Sequence, residues 1–132
     1  MKVTADTNIL VRAVTEDDEV QSPLAQRLLA EATLVAMPVT ALCEFAWVLN
    51  RGYGFSRADV ARTIRTLIAG DNVEVDIGAV EAGLAMLDSG GDFGDGVIAH
   101  EGAWIGGEIF ASFDRNAIEL LEGQGRVVLL PA

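Results

Sequence analysis

One lysine, one histidine and one cysteine are all that this 132-residue chain holds of those types, and each scarcity removes a class of chemistry. A lone Cys43 cannot close an internal disulfide, which fits a reducing, cytoplasmic setting. With His100 as the only histidine, there is no Cys/His set for structural zinc. No apolar run reaches the roughly 18–20 residues that cross a bilayer. The longest candidate, Thr40 to Leu49, is interrupted by Glu44. The opening "MKVTADTNIL" reaches Asp6 too early for a secretory leader.

Positive charge is scarce as well. Nine Lys and Arg stand against twenty Asp and Glu, a net charge of −11. Affinity for phosphate comes chiefly from cations, so the chain as a whole suits non-specific nucleic-acid binding poorly. The run Glu16-Asp17-Asp18-Glu19 reads as solubilising surface. A nucleic-acid substrate would need a local reversal of sign, from a bound divalent cation or a basic partner.

What is present is a globular composition, 51% hydrophobic, with neither linker nor internal repeat. Short apolar runs predict strands at Lys2–Ala5, Leu34–Met37, Val73–Val75, Ile109–Ser112 and Val127–Leu130. Between them lie helical patterns. Asn8–Val14 is the first, and Ser22-Pro23 reads as cap and first turn of the second, with Leu24, Leu28 and Leu29 periodic. Thr40 reads as the cap of a helix carrying the stripe Leu42, Phe45, Val48 and Leu49, which ends near Gly52 and Gly54. Ser56-Arg-Ala-Asp59 is a capping box for a helix with Val60, Ile64, Leu67 and Ile68 inward. Asp76 reads as the cap of a helix through Val80, Leu84 and Leu87. Another helix follows Gly90-Gly91, and a last one spans Arg115–Glu122. Alternating helices and continuous apolar strands predict the α/β class, a three-layer sandwich around a mainly parallel sheet. In such folds, sites form beyond the carboxyl ends of the strands.

Carboxylates fall there. Asp6 follows the first strand and Asp114 the fourth, while Asp95 lies in the first turn of the helix after Gly90-Gly91. Taken singly, Asp6, Asp92 and Asp114 read equally well as helix caps, and Asp95 as a favourable first-turn acid. Glu44 interrupts the most hydrophobic helix, and it is expected to be buried and compensated by a ligand. Converging acids would repel, and hard oxygen donors without histidine or thiolate select Mg2+ or Mn2+ over zinc. Two such ions about 3.5–4 Å apart form the usual clamp for in-line attack on a phosphodiester.

The segments "DTNIL", "ALCEFAWVL", "DFGDGVIA" and "SFDRN", in this order, resemble the signature segments of PIN-domain ribonucleases, and more narrowly those of VapC-type toxins of bacterial toxin–antitoxin pairs. The similarity covers nearly the whole chain and implies one PIN domain over residues 1–132. It implies endonucleolytic RNA cleavage dependent on one or two Mg2+ or Mn2+ ions, with Asp6, Glu44, Asp95 and Asp114 as the catalytic, metal-holding quartet. Asp6 and Asp95 would be direct ligands of a cation that activates water. Thr7, Asn8, Asp92 and Ser112 would orient the quartet, and Arg115 would contact RNA phosphate or the partner. The resemblance further implies a homodimer and a cognate antitoxin with a basic C-terminal segment, compatible with the net charge. Gly94 and Gly96 stand where alanine is commoner in that family, which predicts a mobile edge at Asp95. Trp47 and Trp104 read as core residues by default, with the dimer and antitoxin interfaces as the alternative, and His100 reads as a helix-packing or surface residue.

Other acidic-pocket classes fit less well. A phosphoryl-accepting receiver domain needs a lysine on a late strand, and Lys2 is the only lysine. A haloacid-dehalogenase-like phosphatase needs two acids spaced by one residue, whereas this chain has Asp6-Thr7-Asn8. A catalytically silent PIN-like binding module stands as the alternative.

Overall fold

Val35 has a parallel neighbour on each side, Val3 and Val73, and is fully buried between them. The computed structural model in which this is seen describes residues Met1–Ala132. The chain forms two compact units, Met1–Asp76 and Ile77–Ala132.

The first unit holds a three-stranded parallel sheet in the order β1 (Lys2–Thr4), β2 (Leu34–Ala36), β3 (Val73–Glu74). Its crossovers carry α1 (Thr7–Thr15), α2 (Gln21–Glu31), α3 (Val39–Trp47), a π-helical segment (Val48–Gly52) and α4 (Arg57–Ile68). The apolar stripes aim at the core as the spacing predicts: Leu10 and Val11 on α1, Val60, Ala61 and Ile64 on α4 are buried. Leu67 and Ile68 reach only half-burial.

The second unit holds α5 (Ile77–Asp88), α6 (Phe93–Trp104), β4 (Phe110–Ala111), α7 (Arg115–Gly123) and β5 (Val128–Leu129), with β4 and β5 paired in parallel. Met86, Ala99, Ala117 and Leu121 form its core cluster. Every strand pairing in the protein is parallel and helices supply the connections, which is the α/β class expected.

Several local expectations change. The second helix starts at Gln21, before the Ser22-Pro23 pair, because Asp18 supplies the cap. Its Oδ1 accepts from the amides of Val20 at 3.0 Å and Gln21 at 2.7 Å, while Ser22 is buried. Asp18 is therefore architectural, not merely solubilising. The third helix begins at Val39 behind Pro38, so Thr40 lies inside the first turn and caps nothing with its side chain. The capping box at Ser56 is present: its Oγ accepts from the Asp59 amide at 3.1 Å.

Gly96 of α6 and Gly83 of α5 act by size, not by flexibility. A methyl group at Gly96 would run into the Ala82 carbonyl of α5, and one at Gly83 would sit 2.5 Å from the Phe93 ring. Small residues thus let α5 and α6 approach closely. Gly94 and Gly102 of α6 face open space. The mobile edge predicted at Asp95 gives way to a tightly packed helix start at Phe93 and Gly96, both buried.

Candidate active site

Two carboxylates of the first unit line one cleft. Asp6 ends the loop after β1 and adopts the extended backbone of a cap, φ −75° and ψ 159°. Its Oδ1 accepts from the Thr7 amide at 2.9 Å. Glu44 projects from α3 into the same cleft, of about 260 Å3, whose walls include Thr4, Thr7, Thr40 and Ala41. Thr7 is buried beneath Asp6, and Asn8 is exposed.

The expected burial of Glu44 is wrong; its side chain is exposed. The buried stripe of this helix is Leu42, Phe45, Ala46 and Leu49, and a residue two past Leu42 falls on the opposite face. Glu44 therefore needs no ligand to offset desolvation. What it keeps is its place opposite Asp6 in the cleft.

In the second unit three more acids share a field. Asp92 occupies the cap position of α6, extended at φ −94° and ψ 137°, yet its carboxylate makes no capping hydrogen bond. Asp95 follows in the first turn and is half-buried. Asp114 caps α7, with Oδ1 accepting from the Ala117 amide at 3.2 Å, and Ser112 Oγ accepts from the Asp114 amide at 3.0 Å. The Asn116 side-chain amide donates to the Gly90 carbonyl at 3.2 Å, so the start of α7 is tied to the turn leading into α6. Burial first, then the negative charge of Asp92 and of Asp114, pushes the Asp95 carboxyl above the ordinary aspartate range. Arg115 is exposed at the first position of α7.

Each unit thus assembles its own acidic group: Asp6 with Glu44, and Asp95 with Asp92 and Asp114. The Thr7 amide donates to the Asp6 carboxylate, and the Ser112 hydroxyl accepts from the Asp114 amide. Sequence reasoning missed the exposure of the tryptophans, since Trp47 is 63% and Trp104 86% exposed, so neither is a core residue. In neither unit do three metal-binding side chains gather into a closed cage. The donors nevertheless suit a hard divalent cation. They are carboxylate oxygens, and Asp6 and Asp114 each commit one oxygen to a backbone amide and keep the other. Mg2+ is commonly held by one or two carboxylates while retaining several waters and a substrate phosphate, so a closed protein cage is not required.

A PIN domain family model matches residues 3–123. The chain belongs to the PIN domain family. The match spans both units of the PIN domain and includes all four acids of the quartet, and the fold is of nuclease type. No curated protein sequence matches this PIN domain. None of its helices is long and apolar enough to cross a membrane.

Proposed function

We propose that this PIN domain is a Mg2+- or Mn2+-dependent endoribonuclease of the VapC toxin type, acting in the cytoplasm as a homodimer restrained by a cognate antitoxin. The single observation that carries the reading is the field at Asp95. Burial first, and then the negative charge of Asp92 and Asp114, raises the proton affinity of Asp95, and a divalent cation would offset such an excess of negative charge.

In this reading Asp6, Glu44, Asp95 and Asp114 are the catalytic acids, with Asp6 and Asp95 as direct ligands. A divalent cation held by these carboxylates would supply Lewis acidity for phosphodiester hydrolysis. The protein's own groups do the positioning. The Thr7 amide fixes one oxygen of Asp6 and the Ala117 amide one oxygen of Asp114, so each offers its free oxygen from a rigid helix start. Glu44 faces the cleft from α3 and orients a water or a substrate hydroxyl by hydrogen bonding. The net charge of −11 is complementary to a basic antitoxin segment laid over these acids.

A silent binding module would account for Asp6 and Asp114 as caps. It leaves unexplained why Asp95 is held half-buried beside two like charges.

The deciding experiment is cleavage of RNA by the antitoxin-free protein with Mg2+ or Mn2+, with EDTA, and with the Asp6→Asn and Asp95→Asn variants. Metal-dependent cleavage that both variants abolish, while their melting curves show a folded protein, supports the reading. Cleavage that persists in EDTA or in the folded variants sinks it.

A further inference from the structure

The few cations of this acidic chain are unevenly placed. Of nine, four (Arg51, Arg57, Arg62 and Arg65) fall within fifteen residues that contain a single acid, Asp59. All four are exposed. Asp59 is engaged by Arg62 in an ion pair one turn away on α4, which leaves the segment with an excess of positive charge. Arg51 and Arg65 stand in the last turns of their helical segments, where the helix dipole favours a cation, but Arg57 stands at the first position of α4, where it disfavours one.

The segment also continues a face that begins at the candidate cleft. Glu44, Trp47 and Arg51 lie three and seven residues apart along α3 and the π-helical segment, so they share one side of a continuous helix. That side is exposed at all three. Trp47 comes about 4.5 Å and Arg51 roughly 10 Å along the axis from Glu44, at 1.5 Å per residue. The α4 helix packs against both α3 and the π-helical segment. Its Arg62 and Arg65, spaced i,i+3, present neighbouring guanidinium groups. An exposed aromatic ring followed by arginines is the combination that grips single-stranded nucleic acid, through base stacking and backbone phosphate.

The geometry points to a single-stranded RNA track on this face: a base stacks on Trp47 beside the cleft, and Arg51, Arg62 and Arg65 take successive phosphates. The assignment rests on the nuclease reading and deepens it by saying where the flanking strand of the substrate runs. It also locates the reversal of sign that so acidic a protein needs to approach RNA.

The test is binding of a mixed-sequence single-stranded RNA oligonucleotide to the full chain in EDTA, across a series of KCl concentrations. Each phosphate contact removed lowers the slope of log affinity against log salt by about 0.7, so Arg62→Ala with Arg65→Ala removes about 1.4. The matching double lysine variant keeps the slope. Trp47→Ala weakens binding between about fivefold and a hundredfold with the slope unchanged. Arg27→Ala, on α2, removes the same unit charge and leaves both quantities as in the wild type. A wild-type slope in the folded double-alanine variant, or an equal loss per charge in Arg27→Ala, overturns the track. So does retained RNA binding together with lost binding to poly-glutamate, since the face would then serve an acidic protein. Because binding is read without metal, RNA held through this face with no metal-dependent cleavage would defeat the nuclease reading and leave the track standing.

Discussion

The Tyr53 hydroxyl donates to Asp17 Oδ2 at 2.7 Å, joining residues 36 positions apart. Asp17 Oδ1 accepts from Thr15 Oγ1 at 2.8 Å and Arg12 Nη1 at 2.9 Å, while Arg12 Nε donates to Gln21 at 2.9 Å. One carboxylate thereby ties the end of α1 and the start of α2 to the chain leaving the π-helical segment. These contacts, led by the Tyr53 hydroxyl and then Thr15, hold the Asp17 carboxyl down at about 2.

Tyr53→Phe is expected to move the Asp17 pKa up toward 3.8, its ordinary value. A depressed carboxylate contributes stability that is present above its unfolded value and lost as pH falls through the folded one, here between about 3.8 and about 2. In the phenylalanine variant that loss is smaller, because less of the stability exists to be lost. Carbon-detected NMR titration of Asp17, with thermal melts between pH 5 and pH 2, checks both statements. An unmoved Asp17 titration would show that the hydroxyl is not the chief cause.

Asp95 shifts the other way, so its sign is opposite. Its folded pKa lies above the unfolded one, so the folded state binds the proton more tightly and stability falls as pH rises through that window. At neutral pH without metal, Asp95→Asn is therefore expected to melt higher than the wild type. Added Mg2+ should raise the melting temperature of the wild type and not that of the variant. Scanning calorimetry with and without Mg2+ measures this, and a variant that melts lower in EDTA contradicts the electrostatic account.

Gly96 and Gly94, two residues apart, are expected to respond oppositely to alanine. At Gly96 the new methyl group meets the Ala82 carbonyl and Met86, an overpacking that costs about 1–3 kcal/mol. At Gly94 nothing lies within 4 Å, and alanine should stabilise the helix by up to about 1 kcal/mol. Urea unfolding of the two variants gives both numbers. Equal effects would mean that α5 and α6 do not approach as described.

Capping and charge at Asp114 can be separated. Asparagine retains a cap acceptor, whereas alanine loses it at about 0.5–2 kcal/mol. If the acid also serves cleavage, Asp114→Asn should keep wild-type stability while losing activity by about a hundredfold or more. An asparagine variant that cleaves normally makes Asp114 a cap and nothing else.

Much of the architecture was legible because local signals agreed with the packing. Ser56 caps α4, and the stripe Val60, Ile64 faces inward, as the spacing demands. The family resemblance placed the acids in order, and the structure groups them as Asp6 with Glu44 and Asp95 with Asp92 and Asp114. The failures have physical causes. The Ser22-Pro23 start was pre-empted by Asp18, a stronger acceptor serving two amides from further back. Glu44 looked buried because its sequence neighbours are apolar, but adjacency in sequence is not adjacency on a helix. The core default was wrong for Trp47 because α3 and the segment after it already fill the inner face with Leu42, Phe45 and Leu49. The partner of Asp17 could not be read at all, since nothing local links it to Tyr53.

The widened turn at Val48–Gly52 has a consequence for phase. Asn50 Nδ2 donates to the Phe55 carbonyl at 2.7 Å and the Phe55 amide donates to Leu49 at 3.0 Å, so the chain is clamped immediately beyond the π-helical segment. A π turn is an α turn carrying one additional residue. Because the widened turn absorbs that residue within one turn, deleting a residue between Leu49 and Gly52 would let the helix close as an ordinary α turn and leave the chain beyond it in phase. Tyr53 would keep its direction toward Asp17. The same deletion in the regular part of α3 would turn everything after it by about 100°. The π-helical segment is thus a stretch of this helix whose length can change by a single peptide unit without re-aiming the aromatic hydroxyl.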